Sequence, residues 1–318
     1  LADAENRVVP HCQHFGDPTD KGRGCGGCSL QHLSLQGQRE EKAARVRRLL
    51  QSAGLSDDVV QPTLEASAAW HYRNKMEFSF GNDGDRAFSL GLHPAGYRYE
   101  TLSLAACHLM SPFTSALLPR VSHWAQDNGL LAFDPRHNVG LLRNLVVREG
   151  QRTGERMLVL HTELRGGPPD GFGASFVTAM HEIAGQLDGK IDSVHWLQRD
   201  AERGRKTTWL AQHLDGKPQL QERLVLPGGR ELVFEIGPQA FFQPSTLGAE
   251  VIYGEVIRQS GLQHNAAATV VDLYCGTGTI ALCLAPWAER VVGIELNTEA
   301  VANGRLNAAA NAVSNVQL

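Results

Sequence analysis

The stretch Asp272-Leu273-Tyr274-Cys275-Gly276-Thr277-Gly278-Thr279 decides the fold of the C-terminal part of this chain. It follows Thr269-Val270-Val271, an apolar, β-branched run that suits a buried parallel strand. The two glycines allow the backbone to turn tightly, and the residues after Thr279 are predicted to be helical. A ligand could therefore approach the backbone N–H groups at the start of this helix.

The elements around this turn alternate between strand and helix. Helices are predicted over 245–259, 279–287 and 298–311, with strands over 269–273 and 291–296 and the start of a third strand at 315–318. This βαβαβ order is typical of a doubly wound, Rossmann-like α/β sheet, which needs more strands than the chain supplies. We therefore expect a domain that is incomplete at its C-terminus, and a chain that is a piece of its parent protein.

The chain before Gly237-Pro238 has a different pattern. Its predicted elements are a helix over 34–53, a helix that runs from Ser111-Pro112 toward Asn128, a helix over 171–187, and three hairpins that pair 76–80 with 88–92, 143–148 with 156–162 and 220–226 with 231–236. The first hairpin turns at 81–84. Hairpins with interleaved helices indicate an α+β fold. From Ala240 onward the chain carries six acidic and only three basic residues, which supports a boundary between regions 1–238 and 239–318.

The composition of the 318 residues is that of an ordinary globular protein, with 42% apolar and 20% charged residues. No uncharged run of about 18 apolar residues is present, so we expect no membrane span. The N-terminal residues lack the apolar core of a secretory signal. The net charge of −4 argues against a histone-like polycation but not against nucleic acid, because binding needs only a local basic surface. We expect a cytoplasmic monomer.

The predicted helix 34–53 combines an apolar stripe with a basic face. The stripe consists of Leu35, Val46, Leu49 and Leu50. The basic face consists of Arg39, Lys42, Arg45, Arg47 and Arg48. These charges either face only water or contact phosphates, and the helix itself either lies free or docks on the C-terminal domain.

Glu295 ends the strand that follows the glycine turn, 17 residues after Gly278. A carboxylate at this place can accept hydrogen bonds from both hydroxyls of a ribose. Two nucleoside ligands fit. The spacing Gly276-x-Gly278-x-x-Ala281 matches the dinucleotide pattern weakly, whereas the fuller string from Asp272 to Gly278, with Glu295 closing the next strand, better suits S-adenosylmethionine. Asp272 either holds the turn by accepting backbone N–H groups or reaches toward a cationic ligand.

Four of the six cysteines form a candidate metal-binding set. Cys25-Gly26-Gly27-Cys28 is a C-x-x-C motif, with Cys12 upstream and Cys107 far downstream. Four thiolates can hold zinc or an iron–sulfur cluster, and the two glycines would let the chain wrap closely around a bulky core. The alternative is four unrelated reduced cysteines. Cys275 and Cys283 are interpreted as packing residues.

Taken together, these residues resemble the RNA uracil-C5 methyltransferase family, which uses S-adenosylmethionine. The resemblance covers nearly the whole chain. Its further motifs, in chain order, are Gln31-His32, Tyr72-Arg73-Asn74-Lys75, Leu142-Arg143-Asn144-Leu145-Val146 and Phe241-Phe242-Gln243. Each motif alone is modest, but the ordered set is highly specific.

The resemblance implies a role for individual residues. Cys12, Cys25, Cys28 and Cys107 match the ligands of a four-iron four-sulfur (4Fe-4S) cluster, as in the branch that modifies large-subunit ribosomal RNA. The residues that match the S-adenosylmethionine pocket are Gln243, Tyr274, Gly276, Gly278 and Glu295. Arg73 and Lys75 are expected to lie near the RNA. The implied substrate is uridine in structured RNA, with ribosomal RNA favoured over transfer RNA.

The family reaction requires residues that the resemblance places after Leu318. In the family, a cysteine thiolate adds to C6 of the uracil, C5 then accepts the methyl group, and a carboxylate removes the C5 proton. We therefore assign no catalytic residue and expect the chain alone to be inactive. The rival hypotheses are a transfer RNA methyltransferase, a non-catalytic iron–sulfur module that binds RNA, and an NAD-dependent oxidoreductase.

Overall fold

A computed structural model describes residues 5–16, 24–66, 68–83, 87–202, 204–262 and 267–318 of the chain. The helices are α1 (Leu35–Ser52), α2 (Pro112–Asp127), α3 (Phe172–Gln186), α4 (Thr246–Gln259), α5 (Thr279–Leu284) and α6 (Thr298–Ala310). The strands are β1 (Lys75–Asp83), β2 (Ala87–Leu92), β3 (Leu102–Ser103), β4 (Leu142–Glu149), β5 (Arg156–Glu163), β6 (Ser193–Asp200), β7 (Thr208–Gly216), β8 (Leu220–Val225), β9 (Glu231–Ile236), β10 (Thr269–Leu273), β11 (Arg290–Ile294) and β12 (Val316–Gln317).

The N-terminal region is built on a seven-stranded sheet with the order β3-β2-β1-β4-β5-β6-β7. All neighbouring pairs are antiparallel except β5 and β6, which are parallel and are connected by α3. A parallel pair needs a crossover of this kind, whereas antiparallel neighbours can be joined by short turns. The region is therefore α+β, as the hairpins in the sequence predict.

One face of this sheet is buried under α2 and α3. On β1, Met76, Phe78 and Phe80 are 6%, 0% and 4% exposed and belong to a core that includes residues of both helices. The side chains alternate along a strand, so Lys75 and Ser79 lie on the opposite face. That opposite face carries the polar residues considered below.

The other face of the sheet is covered at one end by a second core. Val146, Met157 and Val159 from β4 and β5 pack in one cluster with residues of β8, β9, α4 and α5. The two sequence regions therefore share apolar side chains across residue 238. The β8–β9 hairpin is also tied to α6, because the side chains of Asn307 and Asn311 accept the N–H groups of Glu235 and Val233 at 2.8 Å.

The C-terminal region contains a parallel sheet of β10, β11 and β12 with α5 and α6 as connections. The predicted helix 279–287 ends at Leu284 and continues as a 3-10 turn over 285–287, where Pro286 removes a backbone donor. No helix within the described ranges is long and apolar enough to cross a membrane. Gly84, in the predicted turn of the first hairpin, lies outside the described residues.

Two expectations for the N-terminal region need correction. The structure contains strands β6 and β7, which the sequence-based prediction omits. The apolar stripe on α1 is not buried, because Leu35, Val46 and Leu49 are 46%, 48% and 61% exposed and the buried residues of this helix are Gly37 and Ala43. The hydrogen bonds of α1 with other segments run to residues such as Asn6, Val60 and Thr63.

Candidate functional site

The glycine turn between β10 and α5 has a constrained backbone. Tyr274, Gly276 and Gly278 adopt φ angles of 59°, 55° and 73°, all in the left-handed region. A residue other than glycine in this region costs roughly 1–2 kcal/mol. The Tyr274 side chain is 91% exposed, so packing around the ring does not explain the strain. Strain of this kind is concentrated at ligand-binding turns.

Two carboxylates hold this turn in place. Asp272 Oδ2 accepts the N–H of Ala281, in the first turn of α5, at 3.2 Å. Glu295 Oε2 accepts the N–H of Gly276 at 3.0 Å, and its other oxygen accepts the N–H of Asn297 at 2.8 Å. Asp272 therefore takes the first of the two roles considered for it, since it fixes the turn.

The pKa values of the two carboxylates are shifted in opposite directions. Burial raises the pKa of Asp272. The N–H groups of Asn297 and Gly276 lower the pKa of Glu295, which therefore stays ionised at neutral pH. Each carboxylate oxygen has two acceptor sites, so Glu295 can accept further hydrogen bonds while it holds the turn.

The segment that carries Gln243 is anchored to the seven-stranded sheet. The side chain of Asn74, which is 6% exposed, donates to the carbonyl oxygen of Gln243 at 2.8 Å and to Thr246 Oγ1 at 3.0 Å. The backbone N–H of Asn74 also donates to the carbonyl oxygen of Pro244 at 2.8 Å. Thr246 Oγ1 in turn donates to the buried Glu222 at 2.6 Å.

Arg148 holds the other end of the same segment. It is 2% exposed, and its guanidinium donates to the carbonyl oxygen of Ala240. Burial lowers the pKa of Arg148 to about 10, so it is still a cation at neutral pH. Asn74 and Arg148 together fix the backbone of residues 240–244.

Helices α4 and α5 connect the Gln243 segment to the glycine turn. Helix α4 begins at Thr246, directly after this segment, and its Tyr253 packs in the same core cluster as Leu282 and Cys283 of α5. The residues predicted to bind the nucleoside are thus carried by two segments whose following helices pack together.

Arg73 and Lys75 point to different surroundings. Arg73 Nη1 lies 3.3 Å from Met76 Sδ, and the charge of Arg73 acts on the thiol of Cys28. Lys75 is half-buried, and burial together with the nearby Arg148 lowers its pKa. Arg73 therefore lies toward the cysteines and Lys75 toward the Gln243 segment.

Cys12, Cys25, Cys28 and Cys107 line a single small cavity, although 79 residues separate the last two. A Cβ atom on Gly26 would lie 2.9 Å from the carbonyl oxygen of His93, and one on Gly27 would lie 2.8 Å from Leu92 Cδ1. The loop can approach these neighbours so closely only because both residues are glycines. Within the described part of the chain, no group of three or more histidine, cysteine and carboxylate side chains forms a site for a single metal ion.

Burial is the largest cause of the pKa shifts of Cys25, Cys28 and Cys107. It raises the pKa of Cys25 to about 11 and also raises the pKa values of Cys28 and Cys107. Burial also raises the pKa of Cys283 to about 12, in agreement with its interpretation as a packing residue. Cys275 is buried in the glycine turn.

A family model and several known proteins match this chain. A model of the tRNA (uracil-5-)-methyltransferase family matches residues 203–318. An RNA methyltransferase of Protochlamydia amoebophila, itself uncharacterised, is 33% identical over 326 residues, which cover 99% of this chain and 71% of that protein. The chain belongs to the S-adenosylmethionine-dependent RNA uracil-C5 methyltransferase family.

A second relative and a solved structure are also similar to this chain. An uncharacterised RNA methyltransferase of Caldanaerobacter subterraneus is 32% identical over 318 residues, and the match spans 97% of this chain but 64% of that protein. The crystal structure of the Pyrococcus abyssi tRNA (uracil-54, C5)-methyltransferase, solved with S-adenosyl-L-homocysteine, matches with a TM-score of 0.70 and 22% identity. That match covers 92% of this chain and 65% of the Pyrococcus chain, and it shows a shared mixed α/β methyltransferase-like fold.

Sequence reasoning did not identify the residues that position Gln243. Asn74 lies within the quoted motif Tyr72-Arg73-Asn74-Lys75, but its partner is distant in sequence. Arg148 follows the motif 142–146 by two residues, and only its burial on β4 distinguishes it from a surface arginine.

Proposed function

We propose that this protein methylates C5 of uridine in a structured RNA, with S-adenosylmethionine as methyl donor. Membership of the family is the observation that carries this proposal. The strained glycine turn and the ionised Glu295 support it, because they form a surface suited to a nucleoside.

In this proposal, Glu295 accepts the ribose hydroxyls of the cofactor, and the backbone at Gly276 and Gly278 leaves room for its close approach. Tyr274 and Gln243 complete the part of the pocket that this chain supplies. The cofactor supplies an electrophilic methyl group. The residues of this chain bind and orient it, while Asn74 and Arg148 keep the backbone of the Gln243 segment from moving.

The target base has to leave its stack to reach such a pocket. Lys75, at the start of β1, lies toward the Gln243 segment, and Arg73 lies toward the cysteines. We assign both to contacts with the RNA near the target. The proposed chemistry proceeds by addition of a cysteine to C6 of the uracil. Cys275 and Cys283 are buried and are not proposed as this nucleophile.

We further propose that Cys12, Cys25, Cys28 and Cys107 hold a 4Fe-4S cluster. The donor set supports this, because four thiols from distant segments line one cavity and two glycines allow the loop around it. When bound, the cluster would require the thiolate form of these cysteines, although burial in the protein favours the neutral thiol.

Large-subunit ribosomal RNA is the proposed substrate class, because the resemblance associates the cysteine set with that branch of the family. The test is methyl transfer from radiolabelled S-adenosylmethionine by the full-length protein to unmodified transcripts of 23S ribosomal RNA and of transfer RNA. We expect labelling of the ribosomal transcript and loss of that labelling when its uridines carry a C5 methyl group.

The other outcomes separate the alternatives. Labelling of transfer RNA alone would show that transfer RNA, and not ribosomal RNA, is the substrate. The proposed methylation of uridine C5 would still stand. Cofactor and RNA binding without methyl transfer to any uridine would favour the non-catalytic RNA-binding module.

A further inference from the structure

A second concave site lies on the sheet, away from the glycine turn. Its wall at His93 adjoins the cysteine loop, because the N–H of Gly26 donates to the carbonyl oxygen of His93. The site is an open cleft of about 560 Å³ between two walls. One wall is formed by residues 79–82 of β1 with residues 93 and 98–101, and the other by residues 132–137 with Arg143 and Asn144. We call this the β1–β4 cleft. Its volume is in the range of sites that hold a nucleotide-sized ligand.

Arginine and aromatic side chains are paired in this cleft. The guanidinium carbons of Arg98 and Arg136 each lie 4.9 Å from the centroid of the Tyr99 ring. The guanidinium carbon of Arg143 lies 4.7 Å from the centroid of Phe133. Tyr99 is 52% exposed, so the cluster faces solvent. Guanidinium groups held over aromatic rings are platforms on which unpaired bases stack.

The wall that carries Arg136 is ordered by its own hydrogen bonds. Asp134 accepts the N–H of Arg136 at 2.8 Å and the ring of His137 at 2.6 Å, and Asn138 turns the chain with a φ of 55°. A Cβ on Gly140 would lie 2.2 Å from the carbonyl oxygen of Ala132, so the two arms of this loop are in close contact. Arg136 is therefore presented from a preformed loop.

The floor of the cleft carries hydrogen-bonding groups in a fixed arrangement. Asn144 Nδ2 donates to Ser79 Oγ at 3.1 Å, and Ser79 Oγ lies 3.1 Å from His93 Nε2. The other ring nitrogen of His93 lies 2.6 Å from the carbonyl oxygen of Glu100 and acts as the donor there. Ser79 then donates to His93.

The charges of the cleft are close to balance. The carboxylates of Glu100 and Asp134 line it together with its arginines. Glu163 Oε1 forms ion pairs with Arg143 Nη1 at 2.5 Å and with Arg199 Nη1 at 2.8 Å. A site of this kind is better suited to the faces and edges of bases than to a row of phosphates, which would need a strong excess of positive charge.

The cleft and Lys75, which we assign to contacts with the RNA near the target, lie on one face of the sheet. Ser79 and Lys75 lie on the same face of β1, about 13 Å apart at the usual rise of a strand. Asn74 directly precedes Lys75, and its side chain donates to the carbonyl oxygen of Gln243. An RNA strand that occupies the cleft can thus extend along β1 to the place where the target uridine is proposed to bind.

We propose that the β1–β4 cleft binds unpaired nucleotides of the substrate RNA that flank the target uridine, by stacking bases on Arg98, Arg136 and Arg143. This inference rests on the proposed function, since it names a second contact region for the same RNA. It is independent of the chemistry of methyl transfer.

The test measures binding of a labelled, unpaired RNA of about 20 nucleotides to the full-length protein, with a fully paired hairpin of similar length as competitor. We expect Tyr99→Ala and Arg136→Ala each to weaken binding about 5- to 100-fold, as for loss of one stacked base. Tyr99→Phe keeps the ring and should bind like the wild type. Arg120→Ala, on α2 at the opposite face of the sheet, is the matched control and should also bind like the wild type.

The outcomes distinguish this inference from the proposed function. Wild-type affinity of both Tyr99→Ala and Arg136→Ala, or equal competition by the paired hairpin, would overturn the role of the cleft while RNA remained the substrate. Failure of the wild-type protein to bind either RNA would instead refute the proposed function and the cleft with it. Cross-links from 4-thiouridine in the unpaired RNA should map to residues 98–101 or 132–137, and cross-links confined to other segments would contradict the proposal.

Discussion

The side-chain nitrogen of Asn74 lies 2.8 Å from the carbonyl oxygen of Gln243, although 169 residues separate them in sequence. This hydrogen bond joins the motif at the start of β1 to the segment that leads into α4. The position of Gln243, which the family resemblance assigns to the cofactor pocket, is therefore set by the residue that directly precedes β1 of the seven-stranded sheet.

Substitution of Asn74 should affect both stability and cofactor binding. Asn74→Ala leaves the carbonyl oxygen of Gln243 without its buried donor, which costs about 1–3 kcal/mol. We expect a lower free energy of unfolding in urea and weaker binding of S-adenosylmethionine by calorimetry. Asn128→Ala, at an exposed helix end, is the matched control. Cofactor affinity equal to that of the wild type in a folded Asn74→Ala protein would show that the anchor does not position Gln243.

Glu295 should be the main charged contact with the cofactor. Glu295→Ala should weaken binding of S-adenosylmethionine to the full-length protein by about 1–3 kcal/mol, the usual loss for a hydrogen bond to a charged group. Glu299→Ala removes an acidic residue from the first turn of the following helix and serves as the control. Unchanged affinity of a folded Glu295→Ala variant would refute the role, and tight binding of NAD by the wild type would support the oxidoreductase alternative.

The cysteine set should make the protein coloured. Anaerobically purified protein should be brown, with broad absorbance near about 400 nm, because thiolate-bound iron absorbs there. Cys25→Ser should lose this absorbance, whereas Cys283→Ala, which changes a cysteine outside the cavity, should keep it. Stoichiometric zinc without iron in such a preparation would contradict the cluster.

Acid should destabilise the protein through a buried histidine on β6. His195 is 5% exposed, and burial lowers its pKa to about 4. The unfolded chain, with a histidine pKa near 6.5, then binds more protons between these two values, so stability is full above pH 6.5 and falls as the pH drops toward 4. The contribution reaches about 3 kcal/mol at most.

Urea unfolding across this pH range measures the effect. His195→Gln should lower the slope of the free energy of unfolding against pH, whereas His123→Gln, at an exposed position on α2, should leave that slope unchanged. A slope in His195→Gln equal to that of the wild type would assign the acid sensitivity to other groups.

Local patterns in the sequence were sufficient to place β10, the glycine turn and the start of α5, because the β-branched run and the two glycines act over a few residues. The predicted burial of β10 is wrong, because Val271 and Leu273 are 56% and 61% exposed. They were insufficient for β6 and β7. Residues 193–198 of β6 are buried on both faces, so the strand shows no alternation, and β7 is exposed along residues 208–213. The anchors at Asn74 and Arg148 depend on contacts between distant segments, which no local pattern reports.

The core shared by Val146, Met157 and Val159 with α4 and α5 has a consequence for how the chain folds. A cut after Gly237 would leave apolar side chains of β4 and β5 in water on one piece and those of α4 on the other. Neither piece could reach its native conformation alone, so the molecule should melt in a single cooperative transition. Insertions and fusions at the composition boundary would be tolerated poorly, even though the sequence changes character there.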